Sequence, residues 1–151
     1  MSNFWGSVQI DAEVLPFEDE SFDLVYSWGV IHHSKHPDFI IQEIKRVLKN
    51  NGSFIGMMYG RRSLLALKLW VKHALFQGKL NRSLQDVIWH HMESIGTKAY
   101  TPNELREIFS GFKQFNTESI ITPYDKNKFP KWISKFFPGS WGWFIIIKAV
   151  K

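Results

Sequence analysis

The sequence contains no cysteine among its 151 residues. Disulfide bonds and thiolate metal sites are therefore excluded, and the composition suits a reducing compartment. No apolar run reaches the roughly 18 residues that span a bilayer, because the longest candidate, residues 64–76, is interrupted by Lys68, Lys72 and His73. The opening residues, MSNFWGSVQ, have neither the basic start nor the apolar core of a secretory signal. We therefore expect a cytoplasmic protein.

Apolar and aromatic side chains are plentiful, at 44% and 16% of the residues. That content is typical of a globular protein, and the length fits a single domain over residues 1–151. The net charge of +5 is unevenly placed. Six acids fall within residues 11–23, whereas residues 61–85 and 126–151 contain basic residues and no acid. These basic segments predict either a face toward an anionic partner or ordinary solvated helix surfaces.

The first half of the sequence predicts a strand, a helix and a second strand. Residues 22–28, FDLVYSW, are rich in β-formers and have the pattern of a strand buried on both faces of a parallel sheet. Pro37 suits the first position of a helix, whose apolar residues recur at helical spacing until Asn51-Gly52 ends it. Residues 53–58, SFIGMM, form the second strand. This order is a βαβ unit, so the two strands should be parallel.

The second half predicts further helices and two more strands. Amphipathic patterns indicate helices over residues 62–77 and 84–91, and Thr101-Pro102 followed by Glu104 is a capping box that starts another. Alternation over residues 112–121 predicts a half-exposed strand, and residues 143–148, WFIIIK, a buried one. The predicted fold is α/β, with helices on both faces of the sheet and an antiparallel strand pair at its C-terminal end.

Three short segments follow predicted strands, the places where open α/β sheets bind ligands. They are Asp11-Ala12, Ser27 to Gly29, and Tyr59 to Arg61. A short acid there can accept a hydrogen bond from an exocyclic amine or a ribose hydroxyl, and a small neighbour lets a backbone N–H approach a flat heterocycle. Tyr59 and Arg61 can contact an acceptor or a cofactor carboxylate. Asp11 alone equally suits a turn residue, and Arg61 a helix cap or a solvent-facing side chain.

The stretch DAEVLPFEDESFDLVYSWGVIHH, residues 11–33, followed by EIKRVLKNNGSFIGMMY, resembles the class I S-adenosylmethionine-dependent methyltransferases. The most similar type is the broad type 11 group, which includes the quinone-biosynthesis C-methyltransferases. The later segments WHHMESIGTKAYTPNELREIFSGF, ITPYD and GWFIIIKA are similar to the C-terminal half of a bacterial branch of that group. The resemblance covers residues 8–151 and implies a doubly wound, Rossmann-like sheet with S-adenosylmethionine as the cofactor.

The resemblance implies cofactor contacts at matched positions. Asp11 would hold the adenine amino group, the Ala12 N–H would reach the ring, and Leu15 would line the loop beside it. The methionine part of the cofactor would lie over the end of the following strand, at Ser27, Trp28 and Gly29.

The resemblance also implies a catalytic candidate and a substrate cap. His32 stands where the family often has a histidine near the methyl group, and an imidazole can act as a general base near neutral pH. It equally suits a histidine that is hydrogen-bonded to its own loop. His33 and His36 are predicted on the surface, and no metal site is expected because their spacing falls across a turn without a third ligand. Residues 61–98 are similar to a variable helical substrate cap.

The sequence departs from the family at its beginning. The family starts with a strand, a glycine-rich G-x-G turn and a helix, and no such turn precedes Asp11. We therefore expect a truncated site with weak or no cofactor binding by this chain alone. We also expect residues 22–28 to leave an unpaired apolar strand edge, which favours association.

Two functions remain open at this point. One is S-adenosylmethionine-dependent methyl transfer to a small-molecule or lipid-like acceptor, incomplete in this chain. The alternative is a non-catalytic remnant or interaction module that pairs through residues 22–28 with a second copy or with an N-terminal partner.

The C-terminal region is rich in aromatic and basic residues. They suit peripheral membrane contact, a roof over the substrate pocket, or packing on the last helix. These residues are Trp132, Phe136, Phe137, Lys128, Lys131 and Lys135. Nucleic-acid binding is not expected, because no stacking platform with a basic groove is recognisable.

Overall fold

The computed structural model describes residues 9–122 and 138–151. The strands are β1 (Phe22–Trp28), β2 (Leu48–Tyr59), β3 (Gln114–Ile120) and β4 (Phe144–Val150). The helices are α1 (Pro37–Val47), α2 (Leu64–His73), α3 (Leu84–His91) and α4 (Pro102–Ile108). Short 3-10 turns cover Ile31–His33, Leu75–Gln77 and Gly139–Trp141.

The strands form one mixed sheet in the order β1-β2-β4-β3. β1 and β2 pair in parallel around α1, so the predicted βαβ unit is confirmed. β4 runs antiparallel to both β2 and β3, which confirms the predicted C-terminal antiparallel pair. The carboxyl ends of β1 and β2 and the first residue of β4 therefore meet at one edge of the sheet, called the ligand edge below.

Helices cover both faces of the sheet, as predicted. The first face carries Phe54 and Met58 of β2, which pack with apolar residues of α1 and α4 such as Ile44 and Leu105. The second face carries Met57 and Tyr59, which pack with residues of α2 and α3 such as Leu65 and Ile88. This two-sided packing arises because successive strand residues point to opposite faces.

The helix starts follow the sequence signals. Pro37 occupies the first turn of α1. Thr101 and Glu104 form the predicted capping box at α4, in which the Thr101 hydroxyl oxygen accepts from the Glu104 N–H and the Glu104 carboxylate accepts from the Thr101 N–H. Each bond satisfies a backbone donor that the helix itself leaves without a partner.

The end of α1 differs from the prediction. The helix stops at Val47 rather than at Asn51-Gly52, because Leu48 is extended and fully buried and pairs with Phe22 of β1. Asn51 does have the predicted left-handed backbone, with φ of +63°, but inside β2. Burial of Leu48 between the helix and the sheet overrides the local turn signal.

The prediction that β1 is buried on both faces is wrong. Leu24, Tyr26 and Trp28 point to the second face and are 52%, 62% and 46% exposed. The helices α2 and α3 reach Met57 and Tyr59 and stop short of β1. Within residues 9–122 and 138–151, β1 pairs with β2 alone, so its other edge carries unpaired backbone groups.

One sequence prediction concerns residues that the structure does not describe. The aromatic and basic residues predicted to contact a membrane or roof the pocket, 128–137, lie outside the described residues. Within the described residues, every helix is too short or too polar to cross a membrane.

Candidate functional site

The ligand edge is shaped by the chain reversal after β1. Gly29 has a φ of +73°, a left-handed conformation that a glycine adopts without steric cost, and a Cβ there would lie 3.8 Å from the Met57 Cε. The 3-10 turn at Ile31–His33 follows directly and buries His32 beneath it. The turn therefore brings the end of β1 and the His32 ring to the same edge as the end of β2.

Asp11 lies in an exposed turn that is attached to this edge. Its Oδ1 accepts from the Glu13 N–H at 2.9 Å. The Glu13 carboxylate in turn accepts from the Ser34 hydroxyl and the His36 N–H, just after the 3-10 turn. Ala12 packs against the core of the first face. Asp11 thus has the role of a turn residue, and its contact with a ligand stays a prediction.

The loop from Leu15 to Asp19 is held by a single cation. Arg46 of α1 donates to the carbonyl oxygens of Leu15 and Phe17 and to the Asp19 carboxylate, at 3.0, 2.8 and 2.7 Å. It also pairs with Glu43, whose carboxylate accepts from the Leu15 N–H at 2.8 Å. The hydrogen bond from Arg46 lowers the pKa of Glu43, and the bond to Glu43 raises the pKa of Arg46.

Ser27, Trp28 and Gly29 end β1, with Ser27 opposite Gly56 and Trp28 opposite Met57. The Trp28 ring stacks on Tyr26 at a centroid distance of 6.0 Å. It also makes an edge contact with Phe144 of β4 at 6.2 Å. Trp28 therefore presents an exposed aromatic surface at the ligand edge, held from two sides.

His32 is fully buried, and neither ring nitrogen has a hydrogen-bond partner among the described residues. Its ring packs against Tyr59 at 3.9 Å and against His33 at 4.3 Å. Burial, reinforced by His33, lowers the pKa of His32 to about 3. The imidazole is therefore neutral at physiological pH, and hydrogen bonding to its own loop is not what holds it.

Tyr59 connects the ligand edge to the segment that follows α3. Its ring stacks on Trp143 at 4.4 Å, and its hydroxyl donates to Glu93 Oε2 at 2.8 Å. Burial and the bond to Glu93 raise the pKa of the Tyr59 hydroxyl, so it stays a donor. Glu93 was not among the residues singled out from the sequence, because it follows a helix rather than a strand and belongs to no motif.

Arg61 is occupied by internal contacts. Its guanidinium donates to the Ala99 carbonyl oxygen at 3.0 and 3.1 Å and to Gln85 at 3.2 Å, and pairs with Glu104 at 2.8 Å. These bonds join β2 to the segments before and within α4. Contact with a substrate or cofactor would require Arg61 to give up part of this network, so that role stays a prediction.

A cavity of about 390 Å³ lies on the second face, between α2, the end of α3 and the start of β4. Its apolar wall consists of Leu65, Leu69, Met92, Trp143 and Phe144. Its polar wall consists of His91 and Glu93. No three histidine or acidic side chains among residues 9–122 and 138–151 are grouped as metal ligands would be.

Comparison with known proteins gives the family context. Residues 2–56 match the family described as "Methyltransferase domain". The chain is 32% identical over 143 residues to the uncharacterized protein MJ0638 of Methanocaldococcus jannaschii, covering 91% of this chain and 57% of that protein. It is 39% identical over 62 residues to the mitochondrial arginine-hydroxylase NDUFAF5 of Homo sapiens, covering 41% of this chain and 18% of that protein. The chain thus spans less than two thirds of the length of these relatives.

Solved structures agree with the fold. An S-adenosylmethionine-dependent methyltransferase of Thermotoga maritima, named a possible histamine N-methyltransferase, has a TM-score of 0.66 and 22% identity, over 95% of this chain and 63% of that chain. At that identity the likeness shows the fold alone. Together the comparisons confirm the predicted resemblance to the S-adenosylmethionine-dependent methyltransferases and the Rossmann-like α/β sheet. S-adenosylmethionine is the cofactor of that family.

Proposed function

We propose that this chain, whose residues 2–56 match a methyltransferase domain, contributes to S-adenosylmethionine-dependent methyl transfer to a small-molecule or lipid-like acceptor. The supporting observation is the convergence of the Asp11 turn, the end of β1 and the His32–Tyr59 pair at the ligand edge. The Ser34 hydroxyl joins the Asp11 turn to the segment that follows β1 by donating to the Glu13 carboxylate at 2.5 Å. One relative is named an arginine-hydroxylase, so the acceptor is a proposal rather than a consequence of the match.

The residues at this edge suit two parts of the cofactor, the adenine and the methionine end. Asp11 offers a carboxylate to an exocyclic amine, the Ala12 N–H lies beside it, and Leu15 provides an apolar contact from a loop that Arg46 holds in place. The Ser27 to Gly29 segment offers a hydroxyl, an exposed aromatic ring and a glycine that leaves room for close approach. We assign adenine to the first group and the methionine end to the second.

When bound, the cofactor supplies an activated methyl group, so the protein's task is alignment and exclusion of water. In this proposal Trp28 lies beside the methionine end of the cofactor, Tyr59 and Arg61 contact the acceptor, and α2 and α3, within residues 61–98, act as its cap. His32 is a weak base because of its low pKa, and its ring is fully buried against Tyr59. We therefore propose that His32 acts by supporting the Tyr59 ring and not as a general base.

The proposal is tested by Asp11→Asn. Asparagine keeps an oxygen for the Glu13 N–H and loses the second carboxylate oxygen that would accept from adenine. Saturation-transfer NMR with S-adenosylmethionine should show contact at the adenine protons of the wild-type chain, and a loss of that signal on the order of tenfold in the variant. The matched control is Glu118→Gln, an exposed acid on β3, the outer strand of the sheet that lies farthest from β1.

Equal saturation of adenine in the wild type and in Asp11→Asn would contradict the assignment.

The exposed β1 strand favours a second candidate function. An unpaired, apolar strand edge is a template for pairing with another chain. We propose that β1 pairs with a second copy or with an N-terminal partner, and Tyr26→Lys should then weaken the association by placing a charge on the exposed face. Native mass spectrometry, with and without S-adenosylmethionine, measures the oligomeric state of the wild-type and Tyr26→Lys chains. A monomer for both chains across the accessible concentrations would remove the self-pairing form of the proposal.

A further inference from the structure

We propose that the cavity between α2, α3 and the start of β4 binds an organic ammonium group. As applied to catalysis this rests on the proposed function, and it then specifies the acceptor as an amine with an apolar body. The carboxylate of Glu93 and the aromatic wall formed by Trp143 and Phe144 are the two features that recognise such a ligand.

The cavity has the size and lining of a small-molecule site. Its volume of about 390 Å³ falls in the range of ligand pockets, about 300–1,000 Å³. Leu65 and Leu69 of α2 and Met92 form an apolar side opposite the aromatic residues. An apolar pocket of this size with few polar groups orients its ligand through those groups, so the position of Glu93 decides which part of the ligand is polar.

Glu93 is held in a fixed orientation. The Tyr59 hydroxyl donates to Glu93 Oε2 at 2.8 Å, and the Tyr59 ring is itself stacked on Trp143 and on Phe144, at 4.4 and 5.9 Å. A carboxylate has about four acceptor positions, so this single bond leaves capacity for the N–H donors of an ammonium group. Aromatic faces within about 6 Å of a cation add attraction through their quadrupole.

The other titratable groups near the cavity do not offset this charge. His91 lines the cavity, and burial lowers its pKa, so it is neutral at physiological pH. Its ring stacks on His73, whose pKa is also lowered by burial. Arg82, which contacts His91, is paired with the Asp86 carboxylate. Among the described residues that line the cavity, Glu93 therefore carries the one formal charge.

The cavity adjoins the position proposed for the methionine end of the cofactor. Phe144 lines the cavity and makes the edge contact with Trp28 at 6.2 Å. Before transfer the ammonium group gives one proton to the Glu93 carboxylate, which passes it to solvent. The nitrogen lone pair then forms the N–C bond while the C–S bond breaks, and the sulfur keeps the electron pair, so charge and atoms balance.

The test compares two ligands of the same shape. Phenethylamine is protonated near pH 7 and phenethyl alcohol is neutral, and each is titrated into the ¹⁵N-labelled chain while amide shifts are followed. We expect saturable shifts at Met92, Glu93 and Phe144, with the amine binding about tenfold more tightly than the alcohol. Equal affinity of the two ligands, or shifts that avoid these amides, overturns the proposal.

The variant Glu93→Gln removes the charge and keeps an oxygen for the Tyr59 hydroxyl. It should lose the tenfold preference for the amine and keep the affinity for the alcohol. Glu107→Gln, an exposed acid on α4 at the other face, is the control and should bind like the wild type. An unchanged amine preference in Glu93→Gln overturns the assignment, and if that variant does not fold, the ligand comparison on the wild type decides alone.

S-adenosylmethionine titrated into the same samples separates the two proposals. Amine preference without any saturation transfer to S-adenosylmethionine upholds the ammonium site and contradicts the cofactor contacts proposed for this chain. Cofactor binding without amine preference overturns the ammonium site and leaves the proposed function standing.

Discussion

Replacement of His32 by leucine should stabilise this chain. The imidazole is fully buried with two nitrogens that lack hydrogen-bond partners among the described residues. Each such buried group costs about 1–3 kcal/mol, whereas an apolar side chain of similar volume carries no such cost. Leucine loses the ring contacts with Tyr59 and His33, worth about 0.5–1.5 kcal/mol. The expected net gain in the free energy of unfolding near pH 7.5 is therefore about 1–3 kcal/mol.

The difference in the free energy of unfolding between His32→Leu and the wild type should grow as the pH falls. The pKa of His32 is about 3 in the folded chain, against an ordinary value of 6.5, so between these values the unfolded state binds a proton that the folded state does not. Stability of the wild type then falls with pH, by about 1 kcal/mol at pH 5.5 and about 3 kcal/mol at pH 4.5 from this residue. The variant lacks this group, and all other titrations are common to both chains.

Urea unfolding at pH 7.5, 6.5, 5.5 and 4.5, followed by tryptophan fluorescence, measures the difference between the two chains. His36→Gln, which removes an exposed histidine from the same segment, is the control for replacement of a histidine that is not buried. A stability difference between His32→Leu and wild type that is constant with pH would refute the reasoning, because it would mean that His32 titrates alike in both states. A less stable variant at every pH would show that His32 has a partner.

Two further predictions concern the ligand edge. Arg46→Met should release the loop from Leu15 to Asp19, because it removes the donors to two carbonyl oxygens and one carboxylate. Amide hydrogen exchange at Leu15 should then accelerate on the order of tenfold. The control, Arg106→Met on α4, should leave the exchange rate at Leu15 unchanged. Slow exchange at Leu15 in Arg46→Met would contradict the anchoring role. Gly29→Ala should cost about 1–2 kcal/mol in urea unfolding, because φ is +73° there although space exists for the methyl group. Gly139→Ala, at a position without positive φ, should be close to neutral, and equal costs for the two would show that strain at Gly29 is unimportant.

Local signals predicted most of the fold. Pro37, Thr101 and Glu104 act through neighbouring backbone groups, so a sequence pattern contains all that is needed to place their helices. The parallel pairing of β1 and β2 follows from the strand-helix-strand order alone. The predictions that failed depend on distant contacts. Leu48 ends α1 early because it is buried against the sheet, and β1 is exposed because the helices of the second face stop at Met57 and Tyr59.

The residues of the candidate site likewise fall into those that the sequence predicts and those that depend on distant contacts. The sequence alone predicted Asp11, Trp28 and His32 as site residues, because they follow predicted strands or belong to the stretch that resembles the methyltransferase family. Glu93 and Phe144 are joined to them by contacts across long sequence separations, through Tyr59 and Trp28, and no spacing rule connects them. The sequence likewise did not predict the burial of His32. Its low pKa depends on the side chains that pack around the ring, which lie far apart in the sequence.

Trp28 is the residue at which the two proposals meet. Its ring belongs to the segment assigned to the methionine end of the cofactor, and its edge rests on Phe144, which lines the cavity assigned to the amine. An acceptor seated against Phe144 is therefore next to the segment from which the methyl group would come, without any rearrangement of the sheet. The same ring lies on the exposed face of β1. A partner chain that covers this face would consequently change the boundary of the cavity, so association and acceptor binding at this edge should be coupled.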